Sequence, residues 1–100
     1  MTIFLVGDPQ EHAYTFADAE MVVRHFGHDV LNPLMFPDNE KVIEAMIGCS
    51  DYMLLLQGWG SSIKAQDWHW YGSEVMHIPS FVYSPRATKK MADFFNKGES

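Results

Sequence analysis

The residues best suited to chemistry lie in one stretch of the chain, DYMLLLQGWGSSIKAQDWHWY, which runs from Asp51 to Tyr71. Asp67 and His69 are titratable groups separated by one residue, and His69 could act as a general acid or Asp67 as a base. Lys64 lies in the first turn of an expected helix, where a positive charge is unfavourable, so contact with a phosphate or carboxylate would account for it. The alternative for Asp67 and His69 is a hydrogen-bonded residue without a catalytic role.

A glycine- and serine-rich loop precedes these residues. It follows an apolar run at positions 52–56 and consists of Gly58, Trp59, Gly60, Ser61 and Ser62. Backbone N–H groups and a helix N-terminus would favour an anion at this loop, and Trp59 could stack on a base. The alternative is a plain turn with an N-cap serine, in which Trp59 fills the underside of the loop.

Strands and helices alternate along the chain at short intervals. Short apolar runs predict strands at 2–6, 29–31, 52–56 and 80–83, and apolar residues three and four apart predict helices at about 15–26, 39–49, 62–76 and 87–97. This alternation indicates an α/β fold, a small three-layer sheet of about four strands, mostly parallel and flanked by helices. In such open sheets ligands bind beyond the carboxyl ends of the strands.

The turn Gly7-Asp8-Pro9 ends the first predicted strand. A strand-ending turn by itself explains the glycine and the proline. In the functional alternative, Gly7 lets a ligand approach the backbone and Asp8 contacts one of its hydroxyl groups.

Composition limits the class of protein. The chain has 100 residues, 47% of them hydrophobic, a net charge of −6 and one cysteine. We expect a single domain over 1–100 that has no signal peptide or membrane span and lies in the cytoplasm, with no internal disulfide. The net negative charge argues against broad electrostatic binding of polymeric DNA or RNA, but it does not argue against binding of one small nucleotide.

No metal site or cofactor is expected. The five histidines show neither of the spacings typical of zinc ligands on a helix, and no glycine-rich nucleotide-binding motif is present. Glu40 and Glu44, on the second predicted helix, are interpreted as solvated surface.

The third helix carries four consecutive ring-bearing residues, from Trp68 to Tyr71. They cannot all face the sheet. The inward stripe is expected to consist of Ala65, Trp68, Gly72, Val75 and Met76. Trp70 then points outward and Tyr71 lies on the flank, which predicts a homo-oligomer that buries them.

Three pieces of the sequence together resemble a small domain common in phages that is similar to the nucleoside 2-deoxyribosyltransferases. They are Gly7 after the first strand, the segment GHDVLNP from Gly27 to Pro33, and the segment CSDYMLLLQGW from Cys49 to Trp59 with Ser62 and Ala65 following. The similarity covers about residues 2–84. It implies a flavodoxin-like parallel sheet, oligomeric assembly and a nucleoside or nucleotide site at the ends of the first and third strands, to which Asn32 would also belong.

The sequence departs from the family pattern at two positions. Lys64 stands where the family has a glycine, and Trp68 stands where it has the glutamate that attacks the anomeric carbon of the sugar. A tryptophan cannot form the glycosyl ester that a carboxylate forms. The leading hypothesis is therefore a domain that binds a nucleoside or nucleotide-like molecule without the usual nucleophile, for sequestration or regulation if phage-encoded.

Two alternatives belong to other functional classes. The first is an active transferase or hydrolase of N-glycosidic bonds in which Asp67 or Glu74 replaces the missing glutamate. The second is an interaction module that binds a host protein through Trp70 and Tyr71.

Overall fold

The computed structural model describes residues 1–8, 13–36 and 39–83. Four strands, β1 (Thr2–Val6), β2 (Asp29–Leu31), β3 (Tyr52–Leu55) and β4 (Ser80–Val82), form one sheet in the order β2-β1-β3-β4. Every pair of neighbouring strands is parallel. The helices are α1 (Ala13–His25), α2 (Glu40–Gly48) and α3 (Ile63–Trp70), and a 3₁₀ turn at Pro33–Met35 follows β2.

Strand β1 is one of the two inner strands of the sheet, and its side chains from Ile3 to Val6 are apolar on both faces. Ile3 and Leu5 pack against the α1 side, and Phe4 and Val6 pack against the α2 and α3 side. A strand with both faces buried needs helices on both, and the molecule has this arrangement. The predicted small, doubly wound, flavodoxin-like α/β sheet is therefore confirmed.

Two apolar clusters lie on opposite faces of the sheet. On the α1 side the helix contributes Phe16, Ala19 and Val23. On the other side α2 and α3 contribute Ile43, Met46, Ile47 and Ala65. The apolar spacing of α1 and α2 was thus sufficient to identify their buried faces. The predicted helix at 87–97 lies outside the described residues.

Helix α3 does not continue as a regular helix to residue 76. From Tyr71 to Val75 the backbone forms a wider π turn, closed by a 3.1 Å hydrogen bond from the Met76 N–H group to the Tyr71 carbonyl. The extra residue in this turn changes the rotation of the side chains that follow. The predicted inward stripe is correct for Ala65, Trp68 and Gly72 but wrong for its last two members, because Val75 is 46% and Met76 38% exposed.

Within the described ranges, every helix falls short of the length and apolarity that a membrane crossing requires.

Candidate functional site

A cavity of about 200 Å³ lies between α2 and α3. Each helix lines it with residues spaced three or four apart, so that one face of each helix forms a wall. From α2 these residues are Glu40, Ile43, Glu44 and Ile47, and from α3 and the π turn that continues it they are Lys64, Asp67, Trp68 and Tyr71. We call this space the α2–α3 cavity.

The apolar part of the α2–α3 cavity continues the core beneath it. Ile43 and Ile47 are buried, and Trp68 and Tyr71 are half-buried partners of the same cluster. Trp68 packs edge-on against Phe4 of the central strand. Trp68 is therefore part of the cavity wall and of the core at once.

The polar part of the cavity consists of three carboxylates and one ammonium group. Glu40, Lys64 and Asp67 are exposed, and Glu44 is half-buried. The interpretation of Glu40 and Glu44 as solvated surface missed this placement. The available signal was their spacing from Ile43 and Ile47 on α2, but it becomes informative only when α3 is known to be the neighbouring helix.

Asp67 and His69 face different parts of the molecule. Whereas Asp67 lines the cavity, the His69 ring lies 4.8 Å from the Trp59 ring, measured between centroids. Its Nε2 atom is 3.2 Å from Oγ of Ser73 and 3.4 Å from Oγ of Ser80. The two residues predicted as catalytic are thus not brought together at one site.

The glycine- and serine-rich loop uses several of its own N–H groups. Trp59, Ser61 and Ser62 donate to the carbonyls of Leu56, Gly58 and Trp59, respectively, at 3.1, 3.1 and 3.3 Å. These bonds form a 3₁₀ turn at Trp59–Ser61. The three N–H groups therefore bond within the loop and do not point outward to an anion. This geometry favours the interpretation of the loop as a plain turn over its interpretation as an anion-binding site.

Gly58 and Ser62 each have a conformational role in that loop. Gly58 has φ of +85°, a left-handed conformation that glycine adopts readily. Ser62 is the N-cap of α3, and its Oγ atom accepts a 3.3 Å hydrogen bond from the N–H group of Ala65. The side-chain amide of Gln66 donates to the Gly60 carbonyl and fastens the loop to the helix.

The predicted residues after β1 and β2 are also engaged in the fold. A Cβ atom on Gly7 would lie 3.1 Å from Cβ of Leu56 and 3.2 Å from Cζ of Phe16, so close packing accounts for this glycine. Asp8 is half-buried just beyond it. Asn32 is buried, accepts a 3.0 Å bond from the N–H group of Leu34, and donates to a carboxylate oxygen of Glu20 at 3.3 Å.

Of the two aromatics assigned to an interface, only one is on the surface. Trp70 is 60% exposed, but Tyr71 is half-buried and lines the α2–α3 cavity. Ile63, one helical repeat of seven residues before Trp70, is 79% exposed and lies on the same outer face of α3.

Tyr83 lies apart from the cavity, against the cluster on the α1 side. Burial, followed by the negative charge of Asp18, raises the pKa of its phenol. Tyr83 does not line the α2–α3 cavity, so its raised pKa bears on the stability of the fold.

Comparison with known proteins supports the fold and assigns a family. The fold is similar to that of a 2-deoxyribosyltransferase from the psychrotolerant bacterium Bacillus psychrosaccharolyticus, a biocatalyst for the synthesis of antiviral and antitumoral nucleosides, with a TM-score of 0.67. The match has 22% identity and covers 85% of this chain and 73% of that one, which shows a shared fold. The search of curated proteins finds no match. A family described as a domain of unknown function, DUF4406, matches residues 4–78, and the chain belongs to this family.

Proposed function

We propose that this protein binds a nucleoside or nucleotide-like small molecule in the α2–α3 cavity. The observation that carries the proposal is the composition of that cavity, in which two half-buried aromatic rings, Trp68 and Tyr71, lie beside hydrogen-bonding groups. A planar base packs well against such rings, and carboxylates accept hydrogen bonds from its amino groups or from sugar hydroxyls. The fold shared with a nucleoside-processing enzyme supports this ligand class.

The size of the cavity indicates which part of the ligand enters it. Pockets for drug-sized ligands measure about 300–1,000 Å³. At about 200 Å³ the α2–α3 cavity suits a single base, with the sugar at the mouth. Lys64 lines the cavity and follows the N-cap Ser62 by two residues, so in this proposal the loop Gly58–Ser62 contacts the outer part of the ligand.

The proposed activity is binding without the glycosyl transfer of the related enzymes. Trp68 has no nucleophilic oxygen, and its ring is fixed against Phe4. Such a domain could sequester a nucleotide signal or regulate a nucleotide pool. In this proposal it acts as a single domain over 1–100 in the cytoplasm, that of the host if it is phage-encoded.

Calorimetry against a panel of nucleobases, nucleosides and nucleotides tests the proposal. We expect at least one of them to bind, and Tyr71→Leu to weaken that binding because it removes an aromatic wall and keeps an apolar side chain. Trp70→Leu is the matched control, since the neighbouring ring points away from the cavity. A folded protein that binds no member of the panel would contradict the proposal.

A second candidate function is cleavage or transfer of an N-glycosidic bond by Asp67. The position of Asp67 on the cavity wall favours it over Glu74, which is exposed and not part of that wall. The assay measures free base released from deoxynucleosides. Release that Asp67→Asn abolishes and Glu74→Gln leaves intact would establish the enzyme in place of the binding protein.

We also propose that the outer face of α3 joins copies of this chain into a homo-oligomer. Ile63 and Trp70 are exposed there, and large exposed apolar side chains are typical of interfaces. Light scattering should give a mass above that of the monomer, and Trp70→Lys should lower it. If the wild-type protein is monomeric, the result would instead favour the alternative, in which a host protein binds this face.

A further inference from the structure

The α2–α3 cavity has an excess of negative charge. Its polar groups are the carboxylates of Glu40, Glu44 and Asp67 and the ammonium group of Lys64, which leaves two negative charges in excess. Aspartate, glutamate and lysine are all charged at neutral pH. An added phosphate would bring more negative charge to this rim, whereas a positive charge on the ligand would be attracted to it.

The aromatic walls favour the same sign of ligand charge. The faces of tryptophan and tyrosine rings carry partial negative charge and attract cations, most strongly where water is excluded. Trp68 and Tyr71 are half-buried, and Trp68 is held in place by its contact with Phe4. The cavity is therefore lined by two kinds of group, aromatic rings and carboxylates, and each kind can attract a cation.

The cation that fits is organic. Among the described residues, no group of three or more histidine, cysteine, aspartate or glutamate side chains is placed to hold a metal ion. The carboxylates are distributed over two helices, Glu40 and Glu44 on α2 and Asp67 on α3, around an apolar floor. A positive charge spread over a flat ring matches this arrangement better than a point charge that needs its own ligand shell.

We propose that the α2–α3 cavity selects bases that carry a positive charge on the ring near neutral pH, as those of 7-methylguanosine and 1-methyladenosine do, over their neutral counterparts. This inference rests on the proposed function, because it specifies the ligand class of the same cavity. The ring of such a base stacks on Trp68 or Tyr71, and the carboxylates neutralise its charge. Lys64, the single opposing charge, weakens this binding.

Matched ligand pairs test the inference by calorimetry: 7-methylguanosine against guanosine and 1-methyladenosine against adenosine. We expect the methylated member to bind about tenfold more tightly in at least one pair, and the ratio to fall at high salt. Glu44→Gln should reduce the ratio and Lys64→Met should increase it. Glu40→Gln provides a second, more exposed variant, and Glu74→Gln, outside the cavity wall, is the control.

The outcomes separate this inference from the proposed function. If neutral and methylated nucleosides bind equally well, the cavity does not select charge and only the inference fails. Tighter binding of nucleoside phosphates than of the neutral and the methylated nucleosides would also overturn the inference. If a folded protein binds no member of the two pairs and no other nucleoside, the inference and the proposed function both fail.

Discussion

The ring of Trp68 meets the ring of Phe4 edge to face, with centroids 5.9 Å apart and planes at 78°. Phe4 lies at the middle of β1, an inner strand, and is fully buried, so this contact packs α3 against the sheet. Trp68 also forms part of the cavity wall. A side chain at this position therefore affects both the stability of the fold and the shape of the site.

Replacement of Trp68 by alanine should lower the free energy of unfolding by about 3 kcal/mol, at the low end of values for buried tryptophan because the ring is only half-buried. Met21→Ala, at a 73% exposed position on α1, should change it by less than about 0.5 kcal/mol. Urea unfolding followed by circular dichroism measures both. Equal losses in the two variants would mean that the Phe4 contact contributes nothing particular.

Gly72→Ala should destabilise the protein by about 1–3 kcal/mol. A Cβ atom at this position would overlap Sδ of Met53 in β3, so the fully buried Met53 side chain or the backbone would have to move. Gly60→Ala is the matched control, because no atom would lie within 4 Å of the added Cβ and the backbone needs no positive φ. Urea unfolding of both variants checks the difference, and unchanged stability in Gly72→Ala would contradict the close approach.

Removal of the helix cap should weaken the start of α3. Ser62→Ala deletes the Oγ acceptor of the Ala65 N–H group, and loss of such caps costs about 1 kcal/mol. Ser61→Ala is the control, because Ser61 is exposed and contributes its backbone N–H group to the turn. Thermal unfolding should show a lower midpoint only for the Ser62 variant, and hydrogen exchange at Ala65 should accelerate in it.

Most strands and helices could be predicted from the periodicity of the apolar residues, because burial in the core determines that periodicity. The runs at β1 and β3 are apolar on both faces, which a central parallel strand requires, and α1 and α2 show their buried sides in the spacing of their apolar residues. The end of α3 could not be predicted in this way. Its π turn includes Gly72, which packs closely against Met53, a residue distant in sequence, and the spacing of apolar residues along α3 carries no sign of that contact.

The site was harder to predict than the fold for the same reason. The separation of Asp67 and His69 follows from helix geometry alone, because two residues turn a side chain by about 200°. Glu40 and Glu44 could not be assigned to the cavity, since that requires knowing that α2 lies beside α3. A pattern along one helix indicates a face, and only the packing of the two helices shows what that face meets.

Tyr83 should make the stability of the fold fall at alkaline pH. Burial, and then the charge of Asp18, raises the pKa of this phenol above its usual value of about 10. Since the folded state holds the proton more tightly, the contribution is complete below the pKa of the unfolded chain. It is lost as pH rises through the pKa of the folded state. Urea unfolding at a series of alkaline pH values should show this loss in the wild type and less of it in Tyr83→Phe.

The charge of Asp18 can be tested separately from burial. Asp18→Asn removes the smaller of the two causes, so the phenol of Tyr83 should ionise at a lower pH than in the wild type but still above its usual value. Asp29→Asn serves as the control, because it neutralises an exposed carboxylate on β2, at the opposite edge of the sheet from β4, which directly precedes Tyr83. Ultraviolet difference spectra, taken against Tyr83→Phe with the same Asp change, isolate the signal of this tyrosine. An unchanged titration in Asp18→Asn would assign the whole effect to burial.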